Sequence, residues 1–161
     1  MKLKGVLCDT SFFIRLLDKN DPLHGNAKGY FRFFLENNYE LFISTIAISE
    51  YCVRGSIDEL PLQNLQIVPF NFDHALRASE FARIAFESKG DLNLKERKII
   101  PNDTKLFAQA DKNGSVIAYI SSDKESLKIY NLLKSAISVN FDFIDLTVPY
   151  DESFGILDLY E

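Results

Sequence analysis

The sequence predicts one α/β domain, an open parallel sheet of about five strands with helices on both faces. Three observations carry that expectation. Short runs rich in Val, Ile, Leu and Phe alternate with segments of helical period, the pattern of repeated strand–helix–strand crossovers. The 161 residues, 47% of them hydrophobic and 25% charged, suffice for one sizeable core and not comfortably for two. Cys8 and Cys52 have no CxxC spacing and read as small buried apolar residues, so the fold should need neither a disulfide nor a structural metal.

Taken in order, the first strand is expected over Lys4 to Asp9, followed at once by a helix over Ser11 to Leu17 and, after the polar DKNDP turn, a helix over Gly25 to Asn38. A second strand over Glu40 to Ser44 runs into a helix from Thr45 to about Arg54. Gly55 and Pro61 bracket a loop before a third strand, Gln66 to Phe70, and Asp73 is expected to cap a long helix reaching Lys89, with Phe72 packed beside it. The polar segment KGDLNLKERKIIP separates that helix from one opening near Pro101 and stopping at Asn113-Gly114. A fourth strand over Ser115 to Ile120, a helix over Ser122 to Leu133 and a fifth strand over Phe141 to Leu146 complete the sheet. Residues 1–146 thus form the domain and residues 147–161 an acidic, aromatic C-terminal tail.

Open sheets of this kind bind ligands beyond the carboxyl ends of their strands. Four carboxylates map there. Asp9 closes the run Val6-Leu7-Cys8. Glu50 lies seven, four and three residues after Ile43, Ile46 and Ala47, on or beside the apolar helix face where a solvated glutamate is out of place. Asp103 shares the stripe of Leu106, Phe107 and Ala110, and Asp123 follows the strand VIAYI through Ser121-Ser122. Turn formation or helix capping explains an aspartate in each place singly. Four coincidences on one rim favour a site. Carboxylates crowded without a counter-charge repel, and hard oxygen donors of this type suit Mg²⁺ or Mn²⁺.

These residues resemble the PIN-domain family of metal-dependent ribonucleases and, within it, the VapC-type toxins of toxin–antitoxin pairs. CDTSFFIRLL is similar to the family's first motif, ISTIAISEY to its glutamate helix, and NDTKLFAQADKNGSVIAYISSD to the block linking its third and fourth aspartates. The likeness covers about residues 3–146. It implies a PIN-like fold in which Asp9, Glu50, Asp103 and Asp123 form a catalytic, Mg²⁺- or Mn²⁺-binding quartet. Ser11 and Ser121 match hydroxyl positions near the metal, and Glu125 is the counterpart of an additional acid. The implied activity is metal-assisted hydrolysis of RNA phosphodiesters, with an antitoxin protein and a second copy of the chain as partners. Such a mechanism needs no histidine, and His24 and His74 lie outside the constellation.

The formal charge of −5 speaks at first against nucleic acid, but it is unevenly spread. Residues 1–82 sum to −2, residues 83–134 to +3 and residues 135–161, with no basic side chain, to −6. Lys95, Arg97, Lys98 and Lys105, near Asp103 in sequence, are the expected grip on the RNA backbone. The tail is open to three placements: on a neighbouring subunit, in an antitoxin groove, or over the basic loop of its own chain.

Other classes fare worse. No run approaches the ~20 apolar residues of a membrane helix and no signal peptide is evident, so the expected compartment is the cytoplasm. A DxD phosphotransferase lacks its second acid, because Thr10-Ser11 follow Asp9, and neither GxxxxGK(S/T) nor GxGxxG occurs. The competing reading is a catalytically silent PIN-like domain that serves as a protein or RNA interaction module.

Overall fold

The computed structural model describes residues 3–88 and 99–156. Five parallel strands, β1 (Lys4–Cys8), β2 (Tyr39–Ser44), β3 (Leu65–Val68), β4 (Val116–Ser121) and β5 (Asp142–Asp145), form one sheet in the order β3-β2-β1-β4-β5. The helices among the described residues are α1 (Thr10–Leu17), α2 (His24–Glu36), α3 (Thr45–Tyr51), α4 (Phe72–Glu87), α5 (Ile99–Lys112), α6 (Lys124–Ala136) and α7 (Tyr150–Ser153). None of them is long and apolar enough to cross a membrane.

Because strand side chains alternate between faces, β1 divides its residues between two cores. Val6 and Cys8 join Ile120 beneath Phe12 and Phe13 of α1, Tyr30 and Phe34 of α2 and Ala47 of α3. Leu7 joins Tyr119 on the other face, beneath Phe81 of α4, Phe107 of α5 and Ile129 and Leu133 of α6. The expected sheet with helices on both faces is therefore present. At its edge away from the strand tips, Gly5 lets β4 approach closely: its N–H donates to Ser115 O at 2.7 Å, and a Cβ there would stand 2.6 Å from that oxygen.

Several boundaries depart from expectation for local reasons. β3 ends at Val68, short of Phe70, because Pro69 has no N–H to continue the ladder. Asn71, not Asp73, caps α4: its side chain accepts from His74 N–H at 3.3 Å, and the His74 ring accepts Asn71 N–H at 3.1 Å. Phe72, expected to pack, is 74% exposed, and Cys52, expected to be buried, is exposed just past the end of α3, whereas Cys8 is buried in β1. α2 stops at Glu36, and Asn38 makes the exit with φ of 57°. α5 begins at Ile99, which leaves Pro101 inside the first turn, where its missing N–H costs no hydrogen bond. α3 ends at Tyr51, whose carbonyl accepts the Gly55 N–H at 2.9 Å.

The described part of the tail packs on α2 of its own chain. Phe154 stacks on Phe33 with centroids 4.6 Å apart, and Tyr150 lies against Phe33 at 5.5 Å and over Gly29, where a Cβ would meet its ring at 2.9 Å. Tyr30 donates to Val148 O at 2.6 Å, and its hydroxyl also meets Ser153 Oγ. Residues 157–161 lie outside the described residues.

These aromatic contacts bury side chains of both partners, a contribution of about 2 kcal/mol. Deleting residues 149–161 should lower the melting temperature by roughly 4–8 °C in a chain of this size. Calorimetry checks it, and an unchanged melting temperature would show that the tail does not brace α2.

Candidate active site

Successive strands run outward from β1 through β2 to β3 on one side, whereas β4 and β5 lie on the other, so the chain changes direction between β1 and β4. The carboxyl ends of these two neighbours border the crevice where such sheets place ligands. Register pairs Cys8 with Ile120, and the next residues are Asp9 and Ser121. Asp9 N–H donates to Ile120 O at 3.0 Å, which holds the first aspartate at the mouth of the crevice.

Asp9 occupies the position before α1, yet its side chain makes no capping bond. Instead Oδ2 accepts Ser11 Oγ at 2.7 Å and Ser121 Oγ at 2.8 Å. The serines are themselves fixed, since Ser11 Oγ accepts Ser122 N–H and Ser121 Oγ accepts Asp123 N–H, each at 3.1 Å. This chain of bonds ties the end of β1 to the β4–α6 turn. Asp123 does cap its helix: Oδ1 accepts the N–H groups of Glu125 at 2.8 Å and Ser126 at 3.4 Å. One oxygen is used by the backbone, and the cap fixes the direction of the other.

Glu50 reaches the same rim from α3. Thr10 Oγ1 donates to its Oε2 at 2.7 Å and Asn102 Nδ2 to its Oε1 at 2.9 Å, so one carboxylate joins the starts of α1 and α5. Burial pushes its pKa up, the Thr10 bond opposes this, and the charge of Asp9 pushes further up. Neither Thr10 nor Asn102 was singled out from the sequence. The available signal was adjacency, since each directly neighbours an acidic residue of the set.

Asp103 shows the strongest perturbation of the four. Burial, then the charges of Asp9 and Asp123, and to a smaller degree Glu50, raise its carboxyl to about 8, against a modest lowering by Ser126. Its Oδ2 is buried with no partner in hydrogen-bond geometry, and the Ser126 hydroxyl, near enough to lower the Asp103 pKa, is likewise buried outside such geometry. The four sequence-predicted acids are therefore close enough to repel one another. Among the described residues, no three acidic, histidine or cysteine side chains are already arranged to hold a metal ion. The donor set nevertheless fits a hard cation, because it consists of carboxylate and hydroxyl oxygens around an acceptor with nothing to accept.

The remaining candidates divide. Glu125 sits in the first turn of α6 with its carboxylate 3.1 Å from Lys128 Nζ. Lys105 follows Asp103 by two positions, about 200° around the helix, and lines a shallow groove with Phe70, Ala78 and Ala82 rather than the acidic rim. Lys95, Arg97 and Lys98 lie outside the described residues. A cation missed from the sequence is Arg15 on α1: its Nε reaches Ser122 Oγ at 3.5 Å and its Nη1 pairs with Asp21 at 2.6 Å. Nothing in its sequence context distinguished it from other surface arginines.

The raised Asp103 has a consequence for stability. Between its unfolded value near 3.8 and its folded value of about 8, the folded chain holds a proton that the unfolded chain has released, so stability falls as pH rises through that window. In the presence of chelator, the melting temperature should decline between roughly pH 5 and pH 8. Asp103→Asn should flatten the decline and melt above wild type at the upper end. Parallel pH curves for the two proteins would reject repulsion at Asp103 as its origin.

Comparison with known proteins agrees with this architecture. A chain of the VapBC2 complex from Rickettsia felis, solved with a DNA fragment from its promoter, superimposes with a TM-score of 0.57 over 88% of this chain and 98% of that one at 12% identity. A chain of the DNA-bound VapBC complex from Salmonella typhimurium gives a TM-score of 0.48, with 14% identity and coverage of 89% and 98%. At 12% identity the likeness to the Rickettsia felis chain concerns the fold alone. No curated protein matches the sequence. The PIN domain family model matches residues 6–132, most of the chain, and the protein belongs to the PIN-domain family.

Proposed function

We propose that this PIN domain is a divalent-metal-dependent endoribonuclease and the toxin component of a toxin–antitoxin pair. The observation that carries the reading is Asp103, a buried carboxylate raised to about 8 partly by Asp9, Asp123 and Glu50, with an oxygen that has no partner. Asp9, Asp103 and Asp123 would hold Mg²⁺ or Mn²⁺, with Glu50 as a further ligand or as a base. When bound, such an ion neutralises the crowded acids and stabilises the charge that grows on a phosphodiester during hydrolysis.

The chain's own residues supply the rest. Ser11 and Ser121 hold Asp9 through Oδ2, which leaves Oδ1 for other contacts. Thr10 and Asn102 fix both oxygens of Glu50, and its upward pKa shift favours accepting a proton from a water in the crevice. Arg15, beside Ser122, would meet a backbone phosphate, and the basic residues Lys95, Arg97 and Lys98, near Asp103 in sequence, would extend the grip along the RNA. Glu125 acts as a supporting acid behind Asp123, to which its N–H is bonded.

The antitoxin reading draws on the similarity in fold to a chain of the VapBC2 complex from Rickettsia felis. It also draws on an apolar groove of about 630 Å³ bordered by Ile14, Leu17, Tyr51 and Val53, which opens beside Glu50. A homodimer in the cytoplasm completes the proposal. The silent-module reading keeps one observation in its favour, that among the described residues no three candidate ligands already close on one point.

Cleavage of single-stranded RNA separates the two. Wild type with Mn²⁺ or Mg²⁺ should cut, chelator should abolish cutting, and Asp9→Asn or Asp123→Asn should each lower kcat/KM by about 100-fold or more. Activity indifferent to chelator and to both substitutions would reject the metal-dependent reading, and no cleavage of any tested RNA with Mn²⁺ bound would favour the module.

A further inference from the structure

One buried polar group near the acidic rim has no part in the scheme above. Tyr119 of β4 is fully buried and its hydroxyl has no hydrogen-bond partner, a costly arrangement that native interiors rarely tolerate without a use. Its position follows from the pleat. Leu7 and Tyr119 are register partners on β1 and β4, and two residues further on each strand lead to Asp9 and Ser121 on the same face. That face is covered by α5, where Phe107 packs edge-on against the Tyr119 ring at 5.1 Å, one turn below Asp103 on the same stripe.

The ring is wedged by Phe107, Phe141 and Phe143, with centroids at 5.1, 6.4 and 5.6 Å. Rotation of the phenol away from the rim would have to displace these neighbours. Electrostatics place the hydroxyl consistently: burial raises its pKa most, followed by the charges of Asp9 and Asp103, then by its nearness as a donor to the Asp9 carboxylate, and last by Glu50, so the hydroxyl stands close to Asp9 although outside hydrogen-bond geometry. The cluster thus has an unused donor beneath it and, at Asp103 Oδ2, an unused acceptor in its wall.

We infer that Tyr119 is a positioning residue for the acidic centre, a buried O–H donor that would orient the Asp9 carboxylate from beneath when the centre holds a divalent cation. The two serine hydroxyls approach Oδ2 from the rim, and the phenol would brace Asp9 from the core side. A donor supplied by a wedged ring keeps its direction, whereas a water in its place would not. Without the cation, the hydroxyl makes no contact within hydrogen-bond geometry. Removing it should therefore affect the loaded and unloaded protein in opposite senses, which a purely structural tyrosine would not do. The inference rests on the metal-dependent reading proposed above.

The test is calorimetric titration of Mn²⁺ into wild type and Tyr119→Phe, with melting temperatures of both in chelator. The phenylalanine variant should bind Mn²⁺ about tenfold more weakly, as expected when a support behind a metal ligand is lost. Its melting temperature in chelator should equal or exceed that of wild type, since an unsatisfied buried hydroxyl has been removed. In an Asp9→Asn background, the Tyr119→Phe substitution should have no additional effect on Mn²⁺ affinity. Equal Mn²⁺ affinities for wild type and Tyr119→Phe would overturn the inference while leaving the metal site standing. A fall in stability in chelator alongside the affinity would also overturn it, because the hydroxyl would then serve the fold alone. No Mn²⁺ binding by wild type would remove the metal-dependent reading itself and this inference with it.

Discussion

Like charges brought to one crevice set the central constraint on this molecule. Asp9, Glu50, Asp103 and Asp123 arrive from four different elements, and burial prevents water from screening the most enclosed of them, which answers by holding its proton to about pH 8. A chain that folds with this repulsion built in must hold each carboxylate by other means. Three of the four are held by neutral donors rather than by cations: Ser11 and Ser121 at Asp9, Thr10 and Asn102 at Glu50, backbone N–H groups at Asp123. Neutral donors fix direction without cancelling charge, so the negative potential survives for a ligand to use.

The scaffold explains how so many short bonds can meet. In a parallel sheet, the ends of adjacent strands and the starts of the helices after them lie side by side, and the order β3-β2-β1-β4-β5 puts β1 and β4 next to each other at the point of reversal. α5 contributes Asp103 and Asn102 from above one face, while α1 and α3 contribute from the other. The far end of α5 is held by a separate clamp, in which buried Asp111 accepts Arg77 Nε at 2.8 Å and Asn140 N–H at 2.7 Å. Its acid is neutralised by a cation, the opposite of the solution at the rim.

Periodicity exposed most of the architecture, because alternating strands and helical stripes are properties of neighbouring residues. It also exposed the four acids, each out of place on an apolar face or at a strand end. Errors clustered where one residue competes with another for the same local role. Asn71 and Asp73 are both good caps, and the reciprocal bond with the His74 ring decided for Asn71. Phe72 looked like core and stands in solvent. The tail's composition left a neighbouring subunit, an antitoxin groove and the basic loop of its own chain open as its place, and the structure adds a contact that no local pattern showed, Phe154 and Tyr150 on Phe33 of α2.

By itself, the sequence determined that this is a single α/β chain with five strands, the order of its elements, and the four carboxylates at their ends, since each depends on patterns within a few neighbouring residues. The tertiary structure alone decided which donors hold those carboxylates and which cations lie near them. Thr10 meets Glu50 across 40 residues, Ser121 meets Asp9 across 112, and Arg15 reaches Ser122 across 107, distances over which local pattern carries no information. It also decided that Tyr119, an ordinary core aromatic in its strand, lies on the same face as the acids, because register sets it opposite Leu7, two residues before Asp9 and Ser121.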